Sequence, residues 1–287
     1  MGPLDEALES PLEVLLGCLD LEAQGADLFL GDPGPGEGRL FGGMVAAQSV
    51  IAAGRTVARE RQLHSLHAYF LRPGRHDVPI RFVVDRIRDG RTFTTRRVVA
   101  HQAGEAIFNL DASFALPEEG IAHQDPMPAA PPPESLPDWE EVRAEMLRDP
   151  TLARVKSPVE VRMCDPLTPD PSPARQCNWM RVRGTLPGDP LLHTAMLVYA
   201  TDRSLLSTAA RPHGIPWRER RGSSLDHAVW IHEPVRLEGW LLYTSESPVA
   251  RSGRGMIFGA IHHPDGRRLA SVAQEGLVRR RRSGDGV

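Results

Sequence analysis

The stretch RLFGGMVAAQSVIAAGRTV, residues 39–57, is apolar on nearly every side when it is drawn as a helix, and it is bracketed by Gly42-Gly43 and Gly54. A helix that is apolar all round has to be buried on all its sides. One sheet covers every side of a helix only if it curls around it. The stretch therefore predicts a single helix wrapped by a curved antiparallel sheet, an α+β architecture.

The four runs that follow this helix predict the sheet. In each run β-branched residues alternate with polar ones, and the dipeptides Asp89-Gly90 and Ala103-Gly104 are typical of tight turns. We expect an antiparallel meander. Its strands would lie within residues 63–74, 78–90, 91–104 and 105–116.

The second half of the chain repeats this plan. Residues 190–209, PLLHTAMLVYATDRSLLSTA, predict a second buried helix, and four strand-like runs follow at residues 223–234, 239–253, 254–266 and 267–280. His67-Ala68 recurs as His227-Ala228, an offset of 160, and Gly104 recurs as Gly266, an offset of 162. Repetition over this length indicates a duplicated unit rather than a solenoid. We expect the two sheets to join side by side, which protects their edge strands.

A Pro-rich stretch, residues 125–141, separates the two copies. Proline disfavours helix and sheet there until about Asp138, which we expect to cap a short helix. We therefore predict a first unit over residues 10–117, a linker with a short helix over 118–154, and a second unit over 155–282 that carries the catalytic residues.

The composition is that of a globular protein. Of 287 residues, 41% are hydrophobic and 25% charged, and the net charge is −3. No global basic field argues for nucleic acid, and no run approaches the ~20 apolar residues of a membrane span. The three cysteines have no metal-ligand spacing, which favours a reducing compartment. Together with the frequent Arg, Ala, Gly and Pro, this predicts a bacterial, cytoplasmic protein.

Two polar residues stand on otherwise apolar faces. In residues 267–280, alternation places Gln274 on one face with Ala270, Val272, Gly276 and Val278. A buried amide needs hydrogen-bond partners, and by itself it is more often a satisfied core amide. Asp202 has apolar neighbours at helical spacing. A carboxylate on that face is paired, raised in pKa or functional, unless it turns into solvent near the helix end.

Several motifs together resemble the acyl-CoA thioesterase II family. They are LFGGMVAAQSV, LHSLHAYFLRPG with RDGRTFTTRRVVAHQAGEAIF, and SSLDHAVWIHEP followed by LASVAQEGLVR. The resemblance covers roughly residues 10–282. It implies a double hotdog fold and the hydrolysis of acyl-CoA to free fatty acid and CoA, a reaction of fatty acid metabolism that uses no metal or cofactor. The family usually associates, so the resemblance also implies a homo-oligomer.

The resemblance also implies three catalytic residues. They are Asp202 of YATD, Ser224 before LDH, and Gln274 of AQEG, and together they would position a water. Thr is commoner than Ser at the second position; Ser keeps the hydroxyl but loses a methyl. Asp202 would then act as a general base, or would attack the thioester directly to form an anhydride.

The first unit supplies candidates for substrate binding. Gly42 and Gly43 start the first helix, where backbone N–H groups could meet the developing oxyanion, although tight packing explains these glycines equally well. The offsets place His64 opposite Ser224 and Ala112 opposite Gln274. Because the first unit lacks an equivalent set, we expect one active site per pair of units, with the first unit supplying its walls.

Two alternatives remain open at this point. One is a protein that binds acyl-CoA without turning it over, although binding alone needs no residues that position a water. The other is a hotdog-fold enoyl thioester hydratase, which uses an Asp–His pair such as Asp226-His227. Adjacent strand residues point to opposite faces, which disfavours that pair and indicates a structural role for His67 and His227.

Overall fold

The computed structural model describes residues 10–154, 156–165, 168, 170–215 and 219–280. The helices are α1 (Pro11–Leu19), α2 (Gly42–Gly54), α3 (Trp139–Leu147), α4 (Thr151–Arg154), α5 (Pro190–Thr201) and α6 (Leu205–Ala210). The strands are β1 (Glu22–Ala23), β2 (Leu28–Gly31), β3 (Gln62–Phe70), β4 (Ile80–Asp89), β5 (Phe93–Gln102), β6 (Glu105–Ala115), β7 (Val159–Met163), β8 (Arg175–Val182), β9 (Arg220–Ser224), β10 (Asp226–Ile231), β11 (Leu241–Arg251), β12 (Arg254–His262) and β13 (Arg268–Arg280). We call the elements through β6 the first unit and those from β7 onward the second unit.

Within these described residues, one antiparallel sheet of 13 strands runs through both units in the order β1-β2-β4-β5-β6-β3-β10-β13-β12-β11-β8-β7, with β9 paired to β13. The units join where β3 pairs with β10, and the cross-strand pair Leu66 and Val229 is fully buried there. The joining of the two sheets is therefore confirmed. At the junction, the edge strand of each unit is therefore paired and not exposed.

The two long helices, α2 and α5, lie against the sheet and pack on each other. The α2 positions from Val45 to Ala53 are all buried, which confirms the all-round apolar helix that the sequence predicts. Its alanines and glycines let the partner helix approach closely. A Cβ on Gly43, for example, would lie 2.7 Å from the backbone oxygen of Tyr199 in α5.

The predicted meander of four strands in each unit is wrong in one respect. In the first unit β4, β5 and β6 pair in succession, but β3 pairs with β6 and β10 instead of β4. The segment between β3 and β4 contains Pro73 and Pro79 and is too long for a two-residue hairpin. It therefore carries the chain across the sheet, and β3 lies in the middle of the molecule.

The single helix predicted over residues 190–209 is two helices. α5 ends at Thr201, Asp202 is its C-terminal cap, and α6 begins at Leu205. The Tyr243 hydroxyl donates a hydrogen bond to the backbone oxygen of Thr201 at 3.0 Å, in the place of the next helical N–H. Asp202 consequently lies at a helix end and not within a continuous helical face.

The offset of 160 between His67 and His227 is not the structural equivalence of the two units. His67 is exposed on the outer face against Trp230, whereas His227 is fully buried. Side chains alternate between faces along a strand, so an alignment that is wrong by one residue exchanges inside and outside. The offset of 162 survives this test, because Ala112 and Gln274 are both buried.

The linker contains the expected short helix. The Asp138 carboxylate accepts a hydrogen bond from the backbone N–H of Glu140 and so caps α3 as predicted. The unit boundaries at residues 117, 154 and 282 stay a prediction, and residues 281 and 282 lie outside the described part of the chain. None of the helices that the structure describes is long and apolar enough to cross a membrane.

Candidate active site

The three residues expected to act on the substrate meet at one point. Ser224 Oγ and Gln274 Nε2 each donate a hydrogen bond to Asp202 Oδ1, both at 3.1 Å. Gln274 Nε2 also contacts Ser224 Oγ. Asp202 caps α5, Ser224 ends β9 and Gln274 lies inward on β13, so three elements of the second unit converge on this cluster.

The first unit closes the cluster through the start of α2. The backbone N–H of Gly43 donates to the Asp202 carboxylate. A Cβ on Gly42 would lie 2.9 Å from Asp202 Oδ2 and 2.5 Å from Phe70, closer than real Cβ atoms come. Glycine at position 42 therefore lets the helix N-terminus of one unit reach the carboxylate of the other.

Burial sets the electrostatics of Asp202. Desolvation raises the pKa of its carboxyl above the ordinary value, while nearby His227 and the hydrogen bonds from Ser224, Gln274 and Gly43 oppose the rise. The positive end of the α2 dipole is also favourable for negative charge at this position. A carboxylate with a raised pKa is a stronger base than an ordinary Asp.

Gln274 is fully buried, and the other end of its amide contacts His227, a residue that the sequence motifs do not assign to the site. Its Oε1 lies 3.3 Å from His227 Nδ1, and His227 Nε2 lies 2.9 Å from Thr201 Oγ1. His227 is fully buried too, and burial lowers the pKa of its imidazole. The sequence contains a signal for this pair. His227 lies on the same face of β10 as the buried Val229, and this is the inward face of the sheet.

His64 is not brought into the cluster. It sits at an irregularity in the pairing of β3 with β6, where its Nε2 lies 2.8 Å from Ser113 Oγ. Its ring meets Phe93 edge-on at 5.5 Å. Both partners belong to the first unit, so the predicted role of His64 in substrate binding stays a prediction.

Asp226 and His227 point apart, as the alternation along a strand predicts. Asp226 Oδ1 accepts a hydrogen bond from the backbone N–H of Glu275 at 2.6 Å. Both ring nitrogens of His227 are occupied by Thr201 and Gln274. The two side chains therefore do not form the Asp–His pair that a hydratase would use.

Among the described residues, the opposite end of the helix pair has no second set of Asp, Ser and Gln like the one at Asp202. There Gly54, at the end of α2, packs against Leu191 at the start of α5. The residue in the first unit that corresponds to Gln274 is Ala112, which pairs with Leu66. Nor do the described residues hold any group of three His, Cys, Asp or Glu side chains placed to bind a metal.

Both halves of the chain match a known protein family. Residues 31–115 match the family described as acyl-CoA thioesterase N-terminal domain, and residues 126–278 match the acyl-CoA thioesterase C-terminal domain. The chain is 37% identical to acyl-coenzyme A thioesterase 8 of Mus musculus, over 97% of this chain and 92% of that protein. It is 36% identical to acyl-CoA thioesterase 2 of Haemophilus influenzae, over 93% of this chain and 98% of that protein.

Solved structures agree with the sequence relatives. The acyl-CoA thioesterase II TesB2 of Mycobacterium marinum superposes with a TM-score of 0.79 at 40% identity, over 95% of this chain and 99% of that one. A hot dog fold protein of Alicyclobacillus acidocaldarius superposes with a TM-score of 0.77 at 20% identity, over 92% and 97% of the two chains, which supports the fold alone. The predicted double hotdog fold is confirmed. The chain belongs to the acyl-CoA thioesterase II family.

Proposed function

We propose that this protein hydrolyses acyl-CoA thioesters to free fatty acid and CoA with a water molecule held by Asp202, Ser224 and Gln274. Membership of the family supports thioester hydrolysis as the reaction. The observation that carries the assignment of residues is the convergence of Ser224 Oγ and Gln274 Nε2 on Asp202 Oδ1, both at 3.1 Å. A hydroxyl, an amide and a carboxylate at one point can hold a water by donating to it and accepting from it.

In the proposed reaction Asp202 takes a proton from the water as its oxygen attacks the thioester carbonyl carbon. The tetrahedral intermediate then collapses, the C–S bond breaks, and the sulfur of CoA leaves with the proton that Asp202 returns. The raised pKa of Asp202 suits both steps, because the group must accept a proton and then give it up. The start of α2 at Gly42 and Gly43 offers the positive end of a helix dipole near the developing oxyanion.

A direct attack by Asp202 on the carbonyl is the alternative within the same class, and it forms an anhydride. One turnover in water labelled with heavy oxygen separates the two routes. With general-base hydrolysis the label enters the fatty acid and Asp202 stays unlabelled. Label in the Asp202 carboxyl, detected by peptide mass spectrometry, would reject the direct-water route.

Release of free thiol from a panel of acyl-CoAs, acetyl to palmitoyl, tests the assignment. We expect release by the native protein and loss of about 10²- to 10⁴-fold in Asp202→Asn, the range that a positioned general base contributes. Asp77→Asn is the control, because Asp77 is an exposed carboxylate that pairs only with Arg75. Equal release by the native protein and Asp202→Asn would mean that Asp202 is not the base.

The same panel separates the other classes of function. A protein that only binds acyl-CoA releases no thiol from any member, and a hydratase alters the acyl chain while the thioester persists. The chain length with the highest kcat/KM identifies the preferred acyl group.

We also propose a cytoplasmic homo-oligomer. This rests on the family's usual association and on the composition of the chain, and light scattering of the purified protein gives the oligomeric state directly. A single-copy mass would reject the oligomer.

A further inference from the structure

Both ring nitrogens of His227 are used inside the protein. Nε2 lies 2.9 Å from Thr201 Oγ1 and Nδ1 lies 3.3 Å from Gln274 Oε1, and neither His227 nor Gln274 has any exposed surface. The imidazole therefore has no ring nitrogen left with which to bind a substrate. Its hydrogen-bonded link to the side chain of Asp202 passes through the amide of Gln274.

The directions of these hydrogen bonds follow from what each group can donate. An ionised carboxylate only accepts, so the NH₂ of Gln274 must face Asp202 and its carbonyl oxygen must face His227. His227 then has to donate from Nδ1. A neutral imidazole that is protonated at Nδ1 accepts at Nε2. The Thr201 hydroxyl lies 2.8 Å from the backbone oxygen of Val198 as well as 2.9 Å from Nε2, and in this tautomer its single proton points to Nε2. Desolvation favours this neutral form.

We propose that His227 is a positioning residue: its Nδ1–H bond to Gln274 Oε1 keeps the amide of Gln274 oriented with the NH₂ towards Asp202 and Ser224. This inference rests on the role proposed for Gln274 above. In the resting state the Asp202 carboxylate already repels the carbonyl end of the amide. Once Asp202 has taken the proton from water it can donate as well as accept, and that preference is lost. His227 retains the orientation through this step.

The first unit is an internal control for the structural explanation. There the position of Gln274 is occupied by Ala112 and the residue paired with it on the neighbouring strand is Leu66. Both are buried, and that unit forms the same β3–β6 ladder without a histidine. The strand therefore does not need an imidazole at this position, and the histidine occurs in the unit that also has the glutamine.

His227→Leu is the primary variant, because it places in β10 the side chain that β3 carries naturally. We expect kcat to fall by about 10²-fold with KM little changed, the order that misplacement of a catalytic group costs. His227→Asn can still donate from its amide and should recover much of the loss. His193→Leu is the matched control: His193 is also buried, but it accepts from the backbone N–H of Leu237 at 3.1 Å, away from the cluster, and its loss should leave kcat unchanged.

A double-mutant cycle tests whether His227 acts through Gln274. In the Gln274→Ala background, His227→Leu should cause no further loss of kcat, and the double variant should be at least as stable as His227→Leu because it reproduces the Leu66–Ala112 pair. Multiplied effects on kcat would overturn the proposal, since they would mean that His227 acts by itself. A native kcat in His227→Leu would also overturn it.

Two further measurements distinguish failure of the proposed function from failure of this inference. A native kcat in Gln274→Ala would contradict the role proposed for Gln274 and, with it, this inference. A native kcat in His227→Leu alone would contradict this inference but leave the proposed function intact. The ¹⁵N spectrum of labelled histidine in the native protein needs no variant to fold. We expect a proton on Nδ1 and none on Nε2 of His227, and the reverse tautomer would contradict the proposal.

Discussion

At the scale of single residues, one carboxylate organises the site. Asp202 receives hydrogen bonds from a hydroxyl, an amide and a backbone N–H, yet desolvation still raises its pKa. Hydrogen bonds from these donors favour the ionised carboxylate, and desolvation favours its protonation. These are the properties that general-base hydrolysis requires of the group.

Ser224 can be tested by a pair of substitutions. Ser224→Ala removes one donor to the Asp202 carboxylate and should lower kcat by about 10- to 100-fold, because a hydrogen bond to a charged group contributes ~1.5–3 kcal/mol. Ser224→Thr keeps the hydroxyl and should retain most of the activity. Steady-state kinetics of the two variants provide the measurement, and equal losses would show that the hydroxyl is not the important group.

Asp202 also couples activity and stability to pH with opposite signs. Its folded-state pKa is raised, so its favourable contribution to stability is present below the unfolded pKa of 3.8 and is lost as pH rises through the folded value. Activity needs the ionised form and therefore rises over the same interval. We expect the acid limb of kcat/KM to lie above pH 3.8, and the pH at which native stability falls relative to Asp202→Asn to coincide with it. Denaturant titrations across pH supply the second curve, and an acid limb at or below 3.8 would contradict the shift.

At the scale of elements, the site depends on where two helices end and begin. The carbonyl of Thr201 is bonded by Tyr243, α5 stops, and Asp202 is left at the cap facing the start of α2. Gly42 has no side chain to hold the helices apart. The approach of α2 to α5 thus brings a first-unit backbone N–H to a second-unit carboxylate.

Gly42→Ala tests this approach. Its Cβ would need Phe70 or Asp202 to move, so we expect kcat to fall by about 10²-fold, as for displacement of a catalytic group by about 1 Å. Gly17→Ala is the control, because Gly17 lies in α1 with nothing within 4 Å of the added Cβ. That variant should gain roughly 0.5–1 kcal/mol in stability and keep its activity. Unchanged kinetics in Gly42→Ala would show that the helices can separate without cost.

At the scale of the whole molecule, the two units share one sheet and one hydrophobic core. They share a sheet through β3 and β10, and their helices pack on each other. A single cluster of buried residues includes side chains from both, such as Phe82 and Val229. The cluster at Asp202 includes parts of both units, because the start of α2 at Gly42 and Gly43 lies against the Asp202 carboxylate.

Phe82→Ala tests the cooperativity. Phe82 is fully buried in β4, and its loss should cost ~3–5 kcal/mol of stability. If the units unfold together, calorimetry will show one transition at a lower temperature, and activity will be lost in that same transition although Phe82 lies in the other unit. Two separated transitions, with activity following the second, would mean that the units unfold independently.

The sequence by itself determined the local structure and much of the site. Hydrophobic periodicity identified α2, and alternation placed Gln274 inside, because both patterns report how one element is buried. The resemblance of the motifs around Asp202, Ser224 and Gln274 to those of the thioesterase family implied the three residues that meet in the structure. These features are set by residues close to one another along the chain.

Only the tertiary structure decided which elements are neighbours. The place of β3 between β6 and β10, the end of α5 at Thr201, and the contact of Gly42 with Asp202 all depend on partners far away in sequence. The same holds for His227. Its face of the sheet and its bond to Gln274 depend on strand register, and an alignment of the two units that is wrong by one residue assigns it to the opposite face. Periodicity specifies that a side chain is buried; packing between distant strands and helices specifies what it is buried against.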